Sequence, residues 1–133
     1  MAGKRKAEGG WAEAAVGASI DLVGALTLKT NGQLARNPAT RELMLEILKE
    51  AAAIPRGRRP GYGGLRRALL RECRAAPDRL SPTYRALLAG RRRRADSPLR
   101  SLLKEARAAR RPAPMVRALH RIVARLEEEL RGR

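Results

Sequence analysis

Aromatic residues are almost missing: Trp11, Tyr62 and Tyr84 are the whole supply, and phenylalanine is absent. Strands draw on β-branched and aromatic side chains, so an all-β sandwich or barrel is disfavoured. An all-α fold of Ala- and Leu-rich helices is expected instead. Cys73 is the only cysteine, which excludes an extracellular disulfide scaffold. His120 is the only histidine, and no nucleophile, base and orienting group can be assembled around it. On that ground the chain is expected not to be an enzyme and to carry no cofactor. With no second Cys or His near either residue, no zinc site is expected. Asn31, Asn37 and Gln33 are the only amides, a depletion that fits a hot habitat. Long apolar runs are lacking too. Met1 to Gly10 is too polar for the core of a secretory signal. Glu13 and Asp21 interrupt the apolar stretch from Trp11 to about Thr30, leaving far less than the roughly 20 residues that a bilayer core needs.

What the chain has in abundance is positive charge. Its 133 residues hold 30 Lys+Arg against 13 Asp+Glu, a formal net charge of +17. That length suits one domain, or one domain with arms. Residues 1–55 hold seven basic and six acidic groups, netting +1, whereas residues 56–133 hold 23 and seven, netting +16. Only Lys4, Lys6, Lys29, Lys49 and Lys104 are lysines; every other basic residue is arginine. The guanidinium fork matches phosphate oxygens, so an anionic partner is expected. A GC-rich genome would also raise Arg and Ala without any functional cause.

Composition and punctuation divide the chain into three parts. A basic flexible arm over residues 1–10 carries Lys4-Arg5-Lys6. A near-neutral helical assembly region spans 11–55, and an Arg-rich helical nucleic-acid-binding region spans 56–133. In the middle part, Ile20, Val23 and Leu26 recur at helical spacing beside a strip of Ala14, Gly17, Ala18, Asp21 and Gly24. The strip predicts a buried helix that another helix approaches closely. Thr30-Asn31-Gly32-Gln33 reads as a helix stop, or less readily as a hairpin turn. Asn37-Pro38 opens a helix to about Ile54 with Leu43, Met44, Ile47, Leu48 and Ala51 on its apolar face. Trp11, Gly17, Ile20, Gly24, Leu43 and Ile47 are the expected contacts between subunits. Further helices are expected from Leu65, after Ser81-Pro82, after Ser97-Pro98 and from Met115. No true repeat and no sustained heptad pattern is present.

Three basic stripes run along these helices. Arg67, Arg71 and Arg74 lie opposite Leu65, Leu69 and Cys73. Arg100, Lys104, Arg107 and Arg111 repeat the spacing, and Arg117, Arg121 and Arg125 do so opposite Leu119, Ile122, Leu126 and Leu130. Like charges at i, i+4 destabilise a helix by a few tenths of a kcal/mol each, which a polyanion would relieve. Arg91, Arg92, Arg93 and Arg94 form the densest charge and suit several successive phosphates. The Gly-rich linker with Arg56, Arg58 and Arg59 precedes a helix N-terminus, another phosphate-friendly site, but no Gly-Lys-Ser/Thr ending follows. The stripes are almost purely arginine and residues 56–133 lack amides, which favours backbone contact over base reading.

A basic arm, a Gly/Ala-rich helix and Arg-striped helices broken by Pro and Gly resemble the major capsid proteins of filamentous archaeal viruses, of the tristromavirus type. The resemblance implies an intertwined helical dimer, homomeric or with a related subunit, that wraps A-form double-stranded DNA and assembles into a helical filament. It implies a virion location, with Arg67, Arg71, Arg74, Arg91 to Arg94, Arg100, Lys104, Arg107 and Arg111 facing DNA. The expected function is a structural coat protein. Two other readings stay open: a cellular chromatin- or ribosome-associated protein, and a protein-interaction or membrane-surface adaptor.

Overall fold

In a computed structural model, residues 2–54, 61–90 and 98–131 are described, with side chains over 10–54, 61–90 and 99–129. Among these residues the fold is all-helical, with seven helices and no strand. They are α1 (Ala2–Thr27), α2 (Asn31–Arg36), α3 (Pro38–Ala52), α4 (Tyr62–Ala75), α5 (Pro82–Leu88), α6 (Pro98–Ala108) and α7 (Pro114–Arg131). Lys4, Arg5, Lys6, Arg56, Arg58, Arg59 and Arg91 to Arg94, all expected to bind nucleic acid, lie outside the described side chains.

Helix α1 is the hub, touching each of the other six helices. From Ala14 to Ala25 nearly every side of the helix is small or apolar, and its neighbours enclose it there. Ala15, Ala18, Leu22, Val23 and Ala25 are buried along it. The buried Ser19 hydroxyl donates to the Ala15 carbonyl at 2.8 Å and so needs no outside partner. Gly24 is where α5 comes closest, since a Cβ there would stand 3.0 Å from the Ser81 Cβ. Helix α1 ends through Leu28, whose φ of 59° lies in the left-handed region and whose N–H donates to the Gly24 carbonyl at 2.9 Å.

The Thr30–Gln33 segment opens a helix instead of only closing one. Thr30 Oγ1 accepts from the Gln33 N–H, and Gln33 Oε1 accepts from the Thr30 N–H, forming a capping box. The next two donors of α2 go to a distant loop: Asn31 N–H to the Arg79 carbonyl at 3.0 Å, and Gly32 N–H to the Pro77 carbonyl at 2.8 Å. A Cβ on Gly32 would meet Pro77 atoms at 3.0 and 3.1 Å, so glycine permits the approach. Asn37 caps α3 as expected, its Oδ1 accepting from Ala39 and Thr40 N–H.

Met44, Ile47, Leu48 and Ala51 of α3, Leu65, Leu69 and Cys73 of α4, Leu99, Leu102 and Ala106 of α6, and Val116 and Val123 of α7 join α1 in one core. Burying each larger aliphatic side chain contributes about 1.5–3 kcal/mol. Trp11, Ile20 and Ile47, expected at a subunit interface, are buried within the single chain. Apolar periodicity reports that a face is covered, not which chain covers it. The register of α7 also differs from expectation: Ile122 is 50% exposed while Val116 and Val123 are fully buried.

Burial pushes the Cys73 thiol up to about 11, and the Glu72 charge adds to the shift. In the unfolded chain the thiol ionises near its ordinary value of 9.0. The folded state therefore holds more protons between those values, so its stability is full below pH 9 and falls as pH rises towards about 11. Thermal unfolding of wild type should lose stability more steeply than Cys73→Ala across this alkaline window. Equal slopes would show that another group governs the alkaline limb.

Candidate functional site

The basic stripes are exposed, as helical spacing predicts. Arg67, Arg71 and Arg74 lie on the solvent side of α4, opposite buried Leu65, Leu69 and Cys73. Arg100, Lys104 and Arg107 are exposed on α6, and Arg117, Arg121 and Arg125 on α7. The α6–α7 turn brings two stripes together: Arg107, Arg111, Arg117 and Arg121 line one concave surface with Arg110, Pro112 and Pro114. Helical spacing does not place Arg110 there, because the residue follows the helix and its φ of 56° re-aims the chain.

A second cleft of about 460 Å³ lies between α1 and α4. Ala12, Val16, Gly17 and Ala68 form its floor, and Glu13, Arg71 and Glu72 supply its charged rim. Glu13 and Gly17 are one turn apart on α1 and both line the cleft. Gly17, expected to admit a partner helix, thus borders an open cleft. Leu43 is half-buried against the core. The signal for Glu13 and Glu72 was only a polar residue beside a small one, which periodicity treats as an ordinary solvated position.

One turn beyond Gly17, Asp21 points inward. Its carboxylate accepts from both the backbone N–H and the hydroxyl of Thr83, the backbone bond being 2.9 Å. Asp21 and Thr83 are both buried. With Ser81 Oγ accepting from the Tyr84 N–H at 2.9 Å, two of the unpaired donors at the start of α5 are satisfied. Helix α7 is held in the same manner by Glu50, whose two carboxylate oxygens accept from Met115 and Val116 N–H at 2.8 and 3.0 Å. Asp21 thus fixes α5 against α1, and Glu50 fixes α7, which borders the α6–α7 surface.

The chain matches the protein family described as ketopantoate reductase PanE/ApbA C terminal, over residues 8–127. The chain belongs to that family. Among solved structures, it resembles the crystal structure of a PanE/ApbA family ketopantoate reductase from Ralstonia eutropha JMP134, with a TM-score of 0.76 and 24% identity. The match covers 90% of this chain and 41% of the reductase, so the chain spans about two fifths of that protein's length. At this identity the likeness shows the shared fold. No curated protein sequence matches at the same stringency.

Membership of the ketopantoate reductase C-terminal family overturns the capsid resemblance, and with it the coat function, the duplex-DNA partner, the filament and the virion location. It also overturns the expectation that the chain has no part in an enzyme. Arginine stripes on helices report a basic exterior, which any helical domain of this composition presents. Among the described residues no helix is long and apolar enough to cross a membrane.

Proposed function

We propose that the chain is the helical, substrate-side part of a ketopantoate-reductase-type enzyme, and that its α1–α4 cleft binds a small 2-oxo acid. The observation that carries this reading is the family match over residues 8–127. Reduction of such a ketone adds a hydride to the carbonyl carbon and a proton to its oxygen. Hydride carriers of the dinucleotide type are gripped by a Gly-x-Gly-x-x-Gly turn between a strand and a helix. The described residues contain no strand, and Gly61-Tyr62-Gly63 is followed by Arg66 where the third glycine belongs. They therefore do not supply that strand–turn–helix grip, and the role assigned here is substrate binding.

The two concave surfaces differ in what they accept. Ketopantoate carries both a carboxylate and a hydroxyl. The α1–α4 cleft offers a matching set: the Arg71 fork for the carboxylate, and Glu13 or Glu72 oxygens as acceptors for the hydroxyl. The α6–α7 surface has guanidinium donors and no acceptor side chain, so the hydroxyl proton finds no side-chain acceptor there.

Calorimetric titration of the purified chain with ketopantoate tests the assignment. Saturable binding is expected, weakened about tenfold or more by Arg71→Ala through loss of a charge-assisted pair. Because Arg71 is exposed, the urea midpoint should hardly move. Absence of saturable binding, or binding indifferent to Arg71→Ala, rejects the cleft as the substrate wall.

A further inference from the structure

The end of α6 and the start of α7 flank an open depression of about 570 Å³ lined by Arg107, Arg110, Arg111, Arg117, Arg121 and two prolines. That size falls within the range of roughly 300–1,000 Å³ typical of small-molecule sites. Every polar side chain that lines it is a guanidinium, a group with five donors and no acceptor. Arg107 and Arg111 line it from the end of α6, and Arg117 and Arg121 are four residues apart on α7, so like charges crowd onto one surface.

The turn between them is shaped to keep that arrangement. Arg110 and Ala113 have φ values of 56° and 40°, a left-handed conformation that L side chains adopt at a cost. Pro112 and Pro114 stiffen the same stretch. Ala113 is buried, and the Arg111 N–H donates back to the Ala106 carbonyl at 2.8 Å. The first N–H groups of α7 are not part of the site, because Glu50 already accepts from Met115 and Val116. What faces the depression is a set of side-chain cations carried on a stiffened turn.

We propose that this surface is an oligophosphate-binding site, taking a ligand that carries a chain of two or more phosphates. A single carboxylate or phosphate offers too few oxygens to engage five forks. A phosphate chain presents charged oxygens on several sides and bridges the α6 pair to the α7 pair. The site shares no residue with the α1–α4 cleft and stands whether or not that cleft binds a 2-oxo acid.

Calorimetry of the full chain with inorganic tripolyphosphate is the test, with ATP as a second arm and sulfate as a reference. Saturable tripolyphosphate binding is expected, tighter than sulfate and weakened at least about tenfold by Arg111→Gln with Arg117→Gln. Removing the same charge elsewhere, with Arg66→Gln and Arg85→Gln, should weaken it less than about threefold. ATP that binds like tripolyphosphate shows that the phosphate chain alone is recognised. Tighter ATP binding that is lost in the same double variant identifies a nucleotide as the source. Circular dichroism of both double variants should match wild type, since exposed cations are being neutralised. Equal weakening by the two pairs would reduce the effect to bulk charge and overturn the site, as would absence of saturable tripolyphosphate binding.

Discussion

Asp21→Ala is expected to lower the unfolding free energy by about 3–4 kcal/mol, the combined cost of two buried donors left without an acceptor. Thr83 loses the partner of its backbone N–H and of its hydroxyl at once, in a place where neither group reaches water. The carboxylate also sits at the start of α5, where negative charge complements the helix dipole. Asp21→Asn keeps one acceptor oxygen and should recover roughly half of the loss. Urea titration followed by circular dichroism measures both variants, and amide exchange at Thr83 should accelerate most in Asp21→Ala. A loss below about 1 kcal/mol would show that the pair does not anchor α5.

Ile47→Ala is expected to cost about 2–5 kcal/mol, the range for deleting a fully buried aliphatic side chain. Ile47 is completely buried inside one chain, between α3 and the central helix. The cost should therefore be the same across a roughly hundredfold range of protein concentration, since no partner subunit supplies the contact. Leu43→Ala, at a half-buried position on the same helix, should cost less. A penalty for Ile47→Ala that shrinks on dilution would return this face to an interface between subunits.

Much of the fold was legible before any coordinates. Asn37-Pro38 and Ser81-Pro82 marked helix starts because an oxygen-bearing cap and an N1 proline act within one turn of chain. The buried faces of α3 and α4 followed from spacing alone, down to Leu65, Leu69 and Cys73. Thr30–Gln33 misled because glycine stops helices more often than it occupies their second position. Here the Pro77 carbonyl, far away in sequence, accepts the Gly32 N–H and stabilises that choice. The α7 register failed for a similar reason: Val116 and Val123 face the core, and which stripe of an apolar helix turns inward depends on the neighbour.

The candidate sites were less legible than the fold. Arg71 was visible as one of three striped arginines, yet its setting between Glu13 and Glu72 depends on α4 crossing α1. Arg107, Arg111, Arg117 and Arg121 were separate stripes until the turn at Arg110 and Ala113 folded α7 beside α6.

By itself the sequence determined the helical class, the main helix starts and the exposure of the arginines, because propensity, capping and periodicity act over a few residues. Only the tertiary structure decided that the neutral first half and the basic second half share one core around α1, and which charges meet across a cleft. Those outcomes depend on contacts between residues far apart in the chain, which no local pattern encodes.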